Sequence, residues 1–121
     1  MNNLKIRVWD DELKEMTYME TWEKILSWKP EMYEENIVML NTTVEDVNFR
    51  DIYVGDILKV YSDEIGTHIP NEFIGEVRLI EGKYLVMNDN AQLAFNLWQE
   101  ITEWKVIGNI YESEFLLDEI R

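Results

Sequence analysis

The sequence predicts a single α+β domain, mainly β, dominated by a strongly bent antiparallel sheet with short helices. Three observations predict it. Short runs of β-branched and aromatic residues recur along the chain with apolar side chains at alternate positions, the period of a strand. Glycine-bearing turns separate several of these runs, most clearly around Gly55 and at Glu81-Gly82-Lys83. A length of 121 residues suits one core and is short for two.

Leu4, Ile6 and Val8 alternate with Lys5, Arg7 and Trp9, which predicts a half-buried first strand ending at Asp10-Asp11-Glu12. Met16, Tyr18 and Met19 read as a returning strand, making a hairpin. Thr17 and Glu20 have capping-box spacing, and Trp22, Ile25 and Leu26 follow at helical spacing, so a short helix is expected to about Trp28. Lys29-Pro30 stops it, because the residue before proline is pushed out of the helical region. Residues 32–36 then read as a connection, 37–40 as a buried strand and 41–50 as a loop.

The stretch Asp51-Ile-Tyr-Val-Gly-Asp-Ile-Leu-Lys-Val-Tyr61 is the centre of the prediction: a turn with one glycine leading at once into a strand. Val54, Leu58 and Val60 share one face while Ile57 and Tyr61 share the other, so apolar bulk on both sides predicts an interior strand. After a loop over 62–71, the runs 73–80 and 84–87 flank Glu81-Gly82-Lys83 as a tight hairpin. Gly75 is read as a bulge or as a corner where the strand bends. Asp89 or Asn90 is expected to cap a helix whose stripe is Ala91, Ala94, Phe95 and Trp98, widened by Leu97 and Ile101. Trp104, Val106, Gly108 and Ile110 alternate as a last strand. Ser113 then caps a C-terminal turn or two carrying Phe115, Leu116, Leu117 and Ile120.

Composition narrows the functions. Twenty-five acidic against eleven basic residues give a net charge of −14, which repels nucleic acid and anionic membranes and leaves no clustered cations to neutralise phosphate. The acids are dispersed, so they read as a solvated surface and not as a tail. With no cysteine, disulfides, thiolate metal sites and thiol catalysis are removed, and a reducing compartment fits. The start Met1-Asn-Asn-Leu-Lys lacks the features of a signal peptide, and no apolar run approaches ~18 residues, so a soluble, non-exported protein is expected.

Three separated stretches, Leu4-Lys-Ile-Arg-Val-Trp-Asp10, Asp51-Ile-Tyr-Val-Gly-Asp-Ile57 and Val106-Ile-Gly-Asn-Ile-Tyr-Glu112 with Leu116-Leu117, together resemble the YopX family. The resemblance implies a small protein encoded by phages or prophages, acting in the host cytoplasm, with an SH3-like or pseudo-barrel fold and short helices. Its molecular function is unknown. The family's Glu-Gly-Asp core stands here as Val54-Gly55-Asp56, and its usual Asn-Pro as Ser113-Glu114. The departure is larger at 40–49, where the family often has Gln-Tyr-Thr-Gly and an Asn-Gly turn, but this chain has Asn48-Phe49. The matched strands at the two chain ends, 4–9 and 106–110, are expected in one sheet.

No catalytic, cofactor-binding or metal residue is assigned. His68 with Asp63 and Glu64 is a weak metal candidate, because a site needs a fixed first shell and groups that orient it. Paired carboxylates for hydrolysis need two acids at a set separation in different environments, and twenty-five acids supply many chance pairs. No nucleophile elbow or phosphate loop is present. Gly55, Gly82 and Gly108 are read as structural turn glycines. Of the aromatics Trp9, Tyr53, Tyr61, Trp98, Trp104 and Tyr111, the interaction surface is assigned to Trp9, Tyr53, Tyr61 and Tyr111, with Trp9 and Tyr111 the most exposed. The expected role is non-catalytic interaction with a protein partner or a second copy, without direct contact to nucleic acid or membrane. The alternatives are an acidic DNA mimic and, third, a hydrolase.

Overall fold

The structure, a computed structural model, describes residues 5–19, 36–63, 69–70, 72–98 and 102–119. The chain divides into two compact units, 1–41 and 42–121.

In the first unit β1 (Ile6–Asp10) and β2 (Glu15–Met19) form the expected hairpin, with Ile6 opposite Met19 and Asp10 opposite Glu15. Asp10 builds the turn: its Oδ1 accepts the N–H groups of Glu12 and Leu13, and its carbonyl accepts that of Lys14, which takes a left-handed φ of 59°. A short acidic side chain tolerates this local bonding where a strand residue would not. On the other side β1 pairs antiparallel with β3 (Asn36–Glu45), Ile6 opposite Leu40 and Asp10 opposite Asn36. Ile6 and Val8 pack with Val38 and Leu40. Thr17 lies in β2 opposite Val8, so it does not cap a helix. The rest of the helix expected to Trp28 falls outside the described residues.

β3 starts in the first unit and ends in the second. Residues 41–45, expected as loop, extend the strand because Thr42, Thr43 and Val44 are β-branched. Thr43 has a φ of 69° and interrupts the pleat there. The Thr42 hydroxyl bridges the irregularity: it donates to the carbonyl of Ile52 at 2.8 Å and accepts from the Val44 N–H at 3.2 Å. β4 (Asp51–Tyr53) lies beside this end of β3.

The rest of the second unit is a five-stranded sheet in the order β8-β7-β6-β5-β9, built from β5 (Asp56–Asp63), β6 (Ile74–Ile80), β7 (Lys83–Asn88), β8 (Leu93–Asn96) and β9 (Thr102–Asn109). β5 is interior, as its two apolar faces predict. The sheet is curled, and a side chain links its two edges. The buried Trp104 of β9 donates its indole N–H to the carbonyl of Leu97, just past β8, at 3.0 Å. Inside the curl lie Ile52, Leu58, Phe73, Val77, Val86, Leu97, Trp104 and Val106. Phe73 is at the centre, edge-on to Phe95 at 5.0 Å and to Trp104 at 6.3 Å. Burying a side chain such as Leu58 contributes about 1.5–3 kcal/mol.

Two turns follow local chemistry. Glu81 (φ 50°) and Gly82 (φ 81°) join Ile80 to Lys83 as a two-residue hairpin turn with both φ values positive. Gly55 has a φ of 95°, its N–H donates to Val77 and its carbonyl accepts from Ile110, both at 2.9 Å. The Asp56 carboxylate closes that turn by accepting the Tyr53 N–H at 2.8 Å.

Several expectations are corrected. The helix expected after Asp89 is the strand β8. Leu93, Phe95 and Leu97 carry a period of two that the helical spacing of Ala91, Ala94, Phe95 and Trp98 obscured, and pairing with β7 uses it. Buried Asn88 sets the turn, accepting the Ala91 N–H and donating to the carbonyls of Ile74 and Leu117. The α+β class therefore gives way to antiparallel sheet, and the helix among the described residues is a 3₁₀ segment, Glu114–Glu119, where the C-terminal turn was expected. The chain ends do not share a sheet: β1 and β9 belong to different ones. Gly108 is not at a turn. It lies within β9 opposite Ile57, and a Cβ there would come within 2.8 Å of Ser113 Cβ and Oγ. Gly75 is neither bulge nor corner, being regularly paired with Leu58, and a Cβ would meet Val86 at 2.9 Å.

Candidate functional site

The turn that follows β3 supports the site. Asp46 is buried, and its Oδ1 accepts the N–H groups of Asn48 (2.8 Å) and Arg50 (2.9 Å) while Oδ2 accepts that of Val106 in β9 (3.0 Å). Burial pushes this carboxyl up, but the donors from Val106, Arg50 and Asn48 and the Arg50 charge outweigh it and hold it below the ordinary carboxylate value. The Val47 N–H donates to the Trp104 carbonyl at 2.9 Å. Asp46 and Val47 thus occupy the outer edge of β9, which would otherwise offer unpaired backbone groups. At the turn's tip Phe49 is 82% exposed with a φ of 63°.

Above this turn stands Trp98, which follows β8 and is 69% exposed. It divides two clefts. One, of about 210 Å³, is bounded by Val44, Lys83, Tyr84, Asn96 and Leu97 together with Trp98. The other, of about 150 Å³, shares Val44, Leu97 and Trp98 and adds Glu45, Val47 and Glu103. The wall common to both is apolar, made by Val44 of β3 and by Leu97 and Trp98 just past β8. The rims differ in charge, Lys83 on one side and the exposed Glu45 and Glu103 on the other.

The sequence-assigned surface is not assembled. Trp9 is 3% exposed, buried with its neighbours on both faces of β1, and its indole donates to Asp11. Tyr53 is 5% exposed. Both are corrections: adjacency to Lys5 and Arg7 suggested an open face for Trp9, yet Arg7 is itself buried. Tyr61 is 64% exposed and Tyr111 half-buried, but they lie at opposite ends of the β5–β9 ladder, which runs from Asp56 opposite Asn109 to Asp63 opposite Thr102. Trp104 is core. His68 and Glu64 fall outside the described residues, and among those described no three His, Asp or Glu side chains converge as a metal site. Paired carboxylates do occur at Arg78, whose guanidinium binds both oxygens of Asp89 (3.1 and 2.8 Å) and one of Glu76 (3.1 Å). This holds the Asp89 carboxyl below its ordinary value and ties the β7–β8 turn to β6. Of the residues lining the clefts, Leu97 and Trp98 belong to the stripe that the sequence places on a helix, while Val44, Glu45 and Val47 fall in the expected loop.

Fold and site together define a small, mostly β protein of curled antiparallel sheet carrying a paired surface cleft. The chain belongs to the YopX family, whose profile, described as YopX protein, matches residues 5–118. Two crystal structures share the fold. One is protein YopX from Bacillus subtilis, at 20% identity and a TM-score of 0.61, and the other is protein EF1440 from Enterococcus faecalis, at 21% and 0.54. In each case the alignment covers 94% of this chain and 97% of the other. No curated protein matches. No helix among the described residues is long and apolar enough to cross a membrane.

Proposed function

We propose that this chain is a non-catalytic protein-binding module that receives its partner at the Trp98 clefts. The observation carrying this reading is Trp98 itself, a large ring 69% exposed between two hollows. Tryptophan is the residue type most concentrated at interface hot spots, where neighbouring pockets take the partner's side chains. Hollows of about 210 and 150 Å³ suit single side chains, whereas sites that enclose a small-molecule substrate run to about 300–1,000 Å³. The cleft does hold two carboxylates, Glu45 and Glu103, but both are exposed. A general acid needs one carboxyl in a drier setting than its partner, so binding is favoured over hydrolysis.

The accessory role in phage or prophage biology, in the host cytoplasm, belongs to this proposal and comes from the family resemblance. A DNA mimic would present carboxylates in phosphate-like rows. The two beside an apolar ring here favour an ordinary protein partner, and displacement of that partner by duplex DNA would reverse the order. The test compares wild type with Trp98→Ala, both checked for unchanged thermal unfolding, in cross-linking capture from host lysate. Loss of specific partners from the variant is expected. Identical captures would refute the reading.

A further inference from the structure

We infer that the occupant of the two clefts is a basic segment of the partner, with an arginine or lysine seated between Trp98 and the Glu45/Glu103 pair and an apolar side chain in the Lys83/Tyr84 cleft. This rests on the reading of the Trp98 face as the binding surface and assigns its chemistry. The clefts share a wall made by Val44, Leu97 and Trp98, yet their charged residues have opposite sign. A cation in the Glu45/Glu103 cleft meets two carboxylates and an exposed indole face, whose quadrupole attracts it. A guanidinium uses both, stacking on the ring while its fork engages carboxylate oxygens. That cleft, about 150 Å³, is side-chain sized, since a cavity of roughly that volume admits a benzene-sized group.

The other cleft repels a cation through Lys83, while Tyr84, Leu97 and Val44 offer apolar surface, so the segment is oriented one way round by a repulsive element as well as an attractive one. Because the hollows adjoin, side chains two apart on an extended segment, which point the same way, are the natural pair. A net charge of −14 steers such a segment in from a distance.

The test titrates ¹⁵N-labelled protein with the peptide acetyl-Ala-Leu-Ala-Arg-Ala-amide and with its Gln and Glu counterparts at the Arg position. The Trp98 indole N–H is identified by its absence from Trp98→Phe. The Arg peptide is expected to shift that signal and to bind at least about tenfold more tightly than the Glu peptide. The preference should fade as salt rises. The double variant Glu45→Gln, Glu103→Gln, changed at two exposed positions, should bring the Arg peptide down to the level of the Gln peptide. Equal shifts from all three peptides, or none at Trp98, would overturn the basic-segment assignment. So would Trp98-dependent self-association in sedimentation, which makes a second copy the occupant. The lysate capture separately decides whether the Trp98 face binds a partner at all.

Discussion

Removing the Asp46 carboxylate tests how the cleft wall is held. In Asp46→Ala three backbone donors lose an acceptor: Asn48, Arg50 and Val106. Asn48 and Arg50 are exposed, so water replaces much of their loss, at about 0.5–1 kcal/mol each, whereas the Val106 N–H is buried and left unsatisfied at about 1–3 kcal/mol. The expected cost is about 3 kcal/mol, which for a chain of this size lowers Tm by about 12 °C. Asp46→Asn keeps one acceptor oxygen but turns an NH₂ toward a donor, so about 2 kcal/mol is expected at neutral pH. The pH dependence has a definite sign. Because the folded carboxyl lies below its ordinary value, and the unfolded one titrates near about 3.9, the stabilisation is present above about pH 4 and is lost as pH falls through the folded value. The gap between wild type and Asp46→Asn should therefore narrow in acid. Thermal melts from pH 7 to 3, with hydrogen exchange at the Val106 amide, measure this. An Asp46→Ala Tm within about 2 °C of wild type, or an Asp46→Asn gap that widens on acidification, would refute the reasoning.

Phe49→Gly should raise stability by about 1 kcal/mol, because a left-handed φ costs a side-chain-bearing residue about 1–2 kcal/mol, an advantage partly offset by glycine's freedom in the unfolded chain; a lowered denaturation midpoint would contradict it. Gly55→Val places a β-branched residue at a φ of 95° and should destabilise by about 3 kcal/mol, read in urea melts, and an unchanged midpoint would count against the assigned turn. Gly108→Ala sets a methyl within 2.8 Å of Ser113, so the 3₁₀ segment should shift and its amides exchange faster. Normal protection at Leu116 and Leu117 would show that the contact is readily relieved.

What the sequence determined by itself is the set of features settled within a few residues. Asp10 folding the first hairpin, Glu81-Gly82 at the second, the positive φ of Gly55 and the alternation that makes β5 interior each follow from local sterics, hydrogen bonding or a period of two. The YopX resemblance was legible for the same reason, since it rests on short matched strings. Only the tertiary structure decided the rest, because burial and pairing depend on what covers the second face of an element. Residues 91–98 carry both helical and strand periods, and β7 with its Asn88 turn selected the strand. Trp9 reads as half-open from its neighbours, but both faces of β1 are buried. Asp46 looks like a loop acid until the fold brings it to the Val106 N–H, sixty residues away, and that long-range bond makes Val47 a cleft wall. Trp98 belongs to an apolar stripe in one conformation and stands at the surface in the other. Its exposure, and hence the candidate site, was decided by chain pairing that no local pattern encodes.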